Sequence, residues 1–565
     1  MVFKSRWSVE IPNASLPTVI FGSPTATLST TKCSFIDAAR PDTHYFTPHD
    51  YRLWCQRFAV GLRNSGIKTG DRVLLFSPND LFFPVVFMGT VMAGGIFTGA
   101  NPTYTPRELA YQLKDSGAKY LLCAEGSLDT GIAAAKSIGM SLDRVFIFDS
   151  AVFDGTGSGA RGCRYWGDLI ASPAEGSRFF WESLSAPGES NQTLALNYSS
   201  GTTGLPKGVE ITHRNYVANL LQFDHTGSLH HDYTNKTARS RWLCFLPLYH
   251  AMAQNFFIAS ALRRGIPVYI MARFDFVQML ENIQKFRINE ILTVPPIMIA
   301  LAKHPLVKKY DLSSLESIGS GAAPLGREIS EEVESMFPPG KLNVRQGWVG
   351  ELNANCECKI MDEDGETELG ENQRGEIWVR APNVMKGYWN KPEATRETLT
   401  EDGWLKTGDI GYVTERGKFF IVDRKKVTRH HQLYSSPQTP LTPGLFFSNP
   451  QELIKVKGNQ VAPAELEGVL LEHPSVADAA VIGITRDGEE YPRAYITLKS
   501  GAKATAKEII DYMKQNVAPT KRITGGVVFV KDIPKNPSGK ILRKVLRERA
   551  AQELQDEPLQ VSAKL

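Results

Sequence analysis

Between residues 71 and 150, three apolar runs, DRVLLFSP, KYLLCAE and DRVFIFD, are set apart by stretches of helical character such as PRELAYQLKDSG. Strand-length apolar runs alternating with amphipathic helices bury both faces of a sheet only when the strands run parallel under helices, so βαβ units are expected. The same rhythm returns over 241–325, where RWLCFLP, IPVYIM, EILTVPP and LESIGSGAAP alternate with further helices. From residue 356 the texture changes to short alternating strands with glycine turns, CKIMDED, GEIWVRAP and GKFFIVDR, which predicts an antiparallel β region. After 452, AELEGVLLEHP and AKEIIDYMKQNV read as helices, and DAAVIGI and RAYITL as strands, of a compact α+β unit. At 565 residues the chain exceeds one ordinary core, and its natural boundary falls near 424–452.

Several classes of function are set aside by composition. A net charge of +4 without a long basic stripe gives no reason to expect nucleic acid. Seven cysteines form no CxxC pair and no Cys/His ligand spacing, which points to reduced, mostly buried thiols and no metal site. Cys356 and Cys358 read as one face of a strand. FPVVFMGTVMAGGIFTGA (83–100) is punctuated by glycine and short for a membrane span, so a buried helix is expected. The start, MVFKSRWSVEIP, has no secretory apolar region. Ala563, Lys564 and Leu565 differ from the Ser-Lys-Leu address by one conservative change, so a peroxisomal location with its import receptor as partner is expected, and a cytoplasmic one if the signal is not read.

The chemistry concentrates in YSSGTTGLPKGVEITHRN, 198–215, where small hydroxyl residues and glycines crowd beside one lysine. Such a loop lets backbone N–H groups and hydroxyls approach phosphate oxygens, with Lys207 as a point charge. It is not a Walker A loop, because Pro206 stands where that motif needs glycine.

SSGTTGLPKG resembles the phosphate loop of the adenylate-forming (ANL) superfamily, and the resemblance continues through LPLYH (246–250), GSGAAPL (319–325), GWLKTGD (403–409), VDRKK (422–426), IKVKGNQVAPAELE (454–467) and PKNPSGK (534–540). These motifs span nearly the whole chain and are most similar to the acyl-CoA ligase, 4-coumarate–CoA ligase-like branch. The resemblance implies an α/β fold, with a large N-terminal domain of mostly parallel sheets flanked by helices plus a β-barrel-like subdomain, and a small α+β C-terminal domain. It implies an AMP-binding domain over 1–424, a hinge with an unusual insert over 425–451, a lid domain over 452–550 and a tail over 551–565.

It also implies a two-step reaction with ATP, Mg²⁺ and CoA, in which a carboxylic acid becomes an acyl-adenylate and then a thioester. Ser199, Ser200, Gly201, Thr202, Thr203 and Lys207 would hold phosphates, and Gly321, Ala322 and Ala323 would wall the adenine. Asp409 and Arg424 would take the ribose, Lys426 would mark the hinge, and Lys540 would bridge carboxylate and α-phosphate. His250 would line the acyl pocket and shape the CoA tunnel; Met252, Asn255, Phe256, Val294 and the Pro295-Pro296 turn would complete an apolar pocket for an aromatic or medium-chain acid. Arg273, Lys455, Lys457, Gly458 and Gln460 would contact CoA.

Two departures from the family pattern stand out. Deleting the 25 residues Val427–Gln451, rich in Pro, Ser, Thr and His, restores the family text without a scar, as a retained in-frame intron would. NVRQGW (343–348) runs directly into Val349, where the family places Gly-Met-Thr-Glu and some two dozen further residues. The lost Thr would contact the α-phosphate and the lost Glu would bind Mg²⁺; Glu351 belongs to the following segment and is no substitute. Two alternatives follow: a catalytically impaired relative, or an enzyme that passes acyl-AMP to a carrier protein.

Overall fold

The structure, a computed structural model, describes residues 1–199, 205–321, 327–346, 350–362, 364–424, 453–457, 459–486, 489–499, 501–534 and 541–556. The chain divides into two compact units, one of residues 1–199 with 207–423, the other of 424–565 with 200–206.

In the large unit an eight-stranded sheet runs in the order Gly387–Tyr388, Lys207–Thr212, Thr193–Ser199, Ile96–Ala100, Arg72–Phe76, Tyr120–Ala124, Val145–Phe148, Arg164–Tyr165. The last six are parallel, and the first two add antiparallel to them. A seven-stranded sheet runs Asn343–Gln346, Ser317–Ser320, Glu290–Thr293, Trp242–Cys244, Val268–Ile270, Phe35–Asp37, Tyr45–Phe46, parallel except for its last pair. The apolar runs thus become strands buried on both faces, as in Val145–Phe148, where all four residues are buried. Each fully buried Leu, Val or Phe there contributes roughly 1.5–3 kcal/mol.

Helix boundaries follow local chemistry. Pro106–Ser116 starts at a Thr105–Glu108 capping box and ends at Gly117, which is left-handed at φ +62°. Residues 83–100 depart from the single buried helix expected: Phe83–Met92 is helical, but Ile96–Ala100 is a central strand. Gly94, at φ +80°, turns the chain between them, and an all-apolar stretch carries no periodicity to announce the change.

The antiparallel region forms a six-stranded sheet in the order Phe3–Lys4, Glu357–Met361, Gly375–Arg380, Leu405–Val413, Phe419–Arg424, with Glu368–Leu369 beside Glu357–Met361. The smaller unit pairs Val476–Arg486 with Glu489–Leu498, sets Val527–Phe529 parallel to the latter, and packs helices Pro463–Leu471, Ala506–Asn516 and Arg543–Asp556. All seven cysteines are free thiols; six are buried, Cys356 and Cys358 among them, and Cys33 is half-buried. Among the described residues no helix is long and apolar enough to cross a membrane.

Candidate nucleotide and acyl site

The phosphate loop is held at its base by a hairpin. Thr193–Ser199 leads in, Lys207–Thr212 leads out, and Lys207 stands opposite Ser199, which is exposed at its strand end. Ser200, Gly201, Thr202 and Thr203 lie outside the described residues. Lys207 is half-buried, and desolvation lowers its pKa; Glu397 pulls the other way and Lys391 adds to the lowering.

The second element is the carboxyl end of the seven-stranded sheet, the place where open parallel sheets receive ligands. Gly321 follows Ser317–Ser320 and donates its N–H to the Thr293 carbonyl at 3.1 Å. Val294, half-buried, follows Thr293 and caps the helix Pro295–Lys303. A Cβ added to Gly321 would stand 3.7 Å from Sδ of Met252, so a residue expected at the adenine and one expected at the acyl group are neighbours. Ala322 and Ala323 lie outside the described residues, as do the side chains of Pro295 and Pro296.

His250 stands at the start of the helical stretch 251–263 with its side chain exposed, and the surrounding protein still disfavours its imidazolium, lowering its pKa. Gln254–Ser260 is π-helical, a wide turn that re-aims side chains. The amide of Asn255 donates to Oδ1 of Asn219, and Phe256 packs against Phe223 at 4.6 Å and Trp242 at 5.1 Å. The structure therefore brings Met252 to Gly321, but turns Asn255 and Phe256 onto the helix His213–Ser228.

Asp409 owes its place to a bulge. The ladder between Gly375–Arg380 and Leu405–Val413 shifts register between Glu376 and Trp378. Gly408, at φ +72°, donates its N–H to Glu376 at 3.2 Å, and Asp409 donates its N–H to the Thr407 hydroxyl at 3.0 Å. Arg424 ends the strand Phe419–Arg424, with its side chain undescribed, and Lys426 lies outside the described residues.

Arg273 is exposed on the large unit. On the smaller unit, Lys455 and Lys457 are exposed on a two-stranded hairpin, where Lys457 turns the chain at φ +48° and the Lys455 N–H donates to Glu490 at 2.5 Å. Gln460 pairs with Lys455 through its backbone. Gly458, Lys540, Ala563, Lys564 and Leu565 lie outside the described residues, as does the insert 427–451.

The implied Mg²⁺ finds no ligand set. Among the described residues no three His, Cys, Asp or Glu side chains converge to hold a metal. Glu351 is engaged by Lys418 at 2.8 Å and Arg6 at 3.0 Å, contacts that hold its carboxyl below its ordinary pKa.

Sequence reasoning missed the support around Lys207. Tyr388 lies on the edge strand next to Lys207–Thr212, and the Tyr198 hydroxyl donates to Asp115 at 2.8 Å, where Lys391 also bonds. The phrase KGYWNK (386–391) was the available signal, but a two-residue strand has no periodicity to read.

Comparison with known proteins places this geometry. The AMP-binding enzyme family matches residues 29–348 and 336–389, and the AMP-binding enzyme C-terminal domain matches 465–540. The chain is 37% identical over 549 residues to 4-coumarate–CoA ligase 1 of Petroselinum crispum, covering 92% of this chain and 91% of the relative. It is 34% identical over 577 residues to 4-coumarate–CoA ligase 3 of Arabidopsis thaliana, covering 97% and 94%. In fold it is similar to the amide bond synthetase of Marinactinospora thermotolerans, with a TM-score of 0.75 at 22% identity over 95% of this chain and 99% of that one. It is also similar to the o-succinylbenzoate CoA synthetase of Bacillus subtilis, with a TM-score of 0.68 at 23% identity over 97% and 98%.

Proposed function

Since this chain belongs to the AMP-binding enzyme family of AMP-forming ligases, we propose that it joins an aromatic or medium-chain carboxylic acid to coenzyme A. Attack of a carboxylate on the α-phosphate of ATP brings an anion onto a polyanion, so the site must supply cations and oriented N–H groups. Ser199 to Thr203 and Lys207 hold the β- and γ-phosphates; Gly321, Ala322 and Ala323 leave room for the planar base. Asp409 and Arg424 take the ribose hydroxyls, and Lys540 bridges the carboxylate and the α-phosphate. His250, neutral at pH 7 because its pKa lies below the ordinary value, lines the acyl side without adding charge. Arg273, Lys455, Lys457, Gly458 and Gln460 receive CoA, whose thiol displaces AMP. Mg²⁺ would neutralise phosphate charge, but the described residues do not fit it and none of these roles depends on it.

The observation that carries the reading is the meeting of Met252 and Gly321 at the strand ends, which sets an apolar acyl wall beside the nucleotide wall. The 4-coumarate–CoA ligase relatives support an aromatic acid and CoA as the partners. The test is ATP–pyrophosphate exchange with cinnamic, benzoic and medium-chain acids, followed by AMP release with and without CoA. Acid-dependent exchange and CoA-dependent release are expected. Release that ignores CoA would move the chain to the carrier-protein alternative.

A second reading, a nucleotide-binding relative with impaired chemistry, is favoured by Glu351, which lies close after the missing motif but is tied to Lys418 and Arg6. Exchange absent for every acid, with ATP binding retained, supports it. For location, Ala563–Lys564–Leu565 are proposed as a peroxisomal address. A fluorescent protein fused at the amino end is expected to be punctate with peroxisomes and diffuse when these three residues are removed.

A further inference from the structure

The strand that carries Lys207 is flanked by Gly387–Tyr388, far ahead in sequence, and Tyr388 stands directly opposite Val209. Side chains alternate along a strand, so Lys207, two residues before Val209, shares the face of Tyr388 and is its diagonal neighbour. The Lys207 ammonium accordingly lies 5.1 Å from the centre of the Tyr388 ring, within the range of about 6 Å where a ring face attracts a cation.

The ring itself is firmly seated. The Tyr388 N–H donates to Thr395 Oγ1 at 2.9 Å, and the flanking Lys386 and Trp389 N–H groups donate to the carbonyls of Glu210 at 3.0 Å and Gly208 at 2.8 Å. A Cβ on Gly387 would strike Thr395 Cγ2 at 2.8 Å, so this close approach requires glycine. On the opposite face of the strand Gly208 admits the ring of Tyr198, whose hydroxyl reaches Asp115. The charged groups acting on Lys207 are Glu397, from the helix Pro392–Thr398, and Lys391, whose own charge is met by Asp115.

We propose that Tyr388 is a positioning residue whose ring seats the protonated Lys207 at the foot of the phosphate loop before nucleotide arrives. The chemistry explains why an aromatic ring serves here better than a carboxylate. A half-buried ammonium needs compensation for lost water, yet an Asp or Glu in contact would cancel its charge and repel the incoming phosphates. A neutral ring face attracts the cation and leaves its full charge available. The proposal rests on the assignment of Lys207 to ATP phosphates, and its test separates the two.

The test is the pH dependence of Lys207 acylation by an amine-selective reagent, read by peptide mass spectrometry on the full-length ligand-free protein, with and without ATP. Tyr388→Phe keeps the ring and is expected to leave the Lys207 titration where it is. Tyr388→Leu keeps an apolar neighbour without the quadrupole, so the protonated form loses support and the Lys207 pKa is expected to fall by roughly half a pH unit. ATP is expected to protect Lys207 in the wild type and in Tyr388→Phe, and to protect Tyr388→Leu only at several-fold higher concentration. Identical titrations of Tyr388→Leu and wild type, or equal shifts in the Leu and Phe variants, would overturn the proposal. A ring-dependent shift without ATP protection would keep the seat and remove the phosphate assignment.

Discussion

Restoring a Gly-Met-Thr-Glu-bearing segment between Trp348 and Val349 is expected to raise acid-dependent ATP–pyrophosphate exchange by roughly two to three orders of magnitude. A single donor aimed at developing phosphate charge is worth about 2.7–4 kcal/mol in a transition state, and the missing segment would bring both a donor and a metal carboxylate. Glu351 does not substitute for that carboxylate. Its oxygens meet Lys418 at 2.8 Å and Arg6 at 3.0 Å, and Lys418 foremost, with Arg6, keeps it ionised and engaged. Glu351→Gln in the restored protein should therefore leave the gain intact. A restored chain that unfolds at the wild-type midpoint yet gains no exchange would remove the deletion as the reason for impairment, and loss of the gain in Glu351→Gln would reassign the carboxylate role. The 25-residue insert is best deleted in the same background, so that the two departures are tested together and then apart.

Arg543→Met is expected to destabilise the smaller unit by about 3–5 kcal/mol, the usual cost of leaving a buried charge without its partner. The Arg543 Nη2 stands 2.5 Å from each oxygen of Glu467, and its Nε donates to the Val481 carbonyl at 3.1 Å. Glu467 in turn accepts the Val481 N–H at 2.7 Å, so one pair ties two helices to the strand Val476–Arg486. The side chains are only 6% and 8% exposed, too little for water to replace the lost partner. Hydrogen exchange in peptides covering Val476–Arg486 and Glu489–Leu498 reads the effect where it occurs. The double variant Glu467→Gln with Arg543→Met should recover much of the protection, because no charge is then stranded. Wild-type protection in Arg543→Met alone would show that the pair contributes nothing net.

The sequence made the layers legible and the junctions obscure. DRVLLFSP, KYLLCAE and DRVFIFD became the strands Arg72–Phe76, Tyr120–Ala124 and Val145–Phe148 because continuous apolar runs have no other stable place than the middle of a covered parallel sheet. The change from helix to strand inside 83–100 was hidden, since a stretch buried on all sides carries neither period. At the site, the motifs identified Lys207, Gly321, Met252 and Asp409 through the family resemblance, but not the contacts that hold them. The pairing of Tyr388 with Val209 and the Asp115 link from Tyr198 to Lys391 join segments far apart in the chain. Such contacts are set by strand register in three dimensions, which local periodicity does not encode. The orientation of Asn255 and Phe256 toward Asn219 and Phe223 was equally hidden, because a π-helical segment breaks the 3.6-residue spacing by which faces are read.

The burial of the thiols bears on the safety of the chemistry. A mixed anhydride of a carboxylic acid and AMP is an indiscriminate acyl donor, and a thiolate is the nucleophile best suited to intercept it. All seven cysteines of this chain sit in the large unit, and burial first of all raises each of their pKa values, Cys356 to about 11 and Cys123 and Cys358 to about 12. At neutral pH the protein therefore carries sulfur without carrying thiolate. An activated acyl group formed here meets no sulfur nucleophile of the enzyme's own making, and self-acylation does not compete with the thiol that comes in from solution.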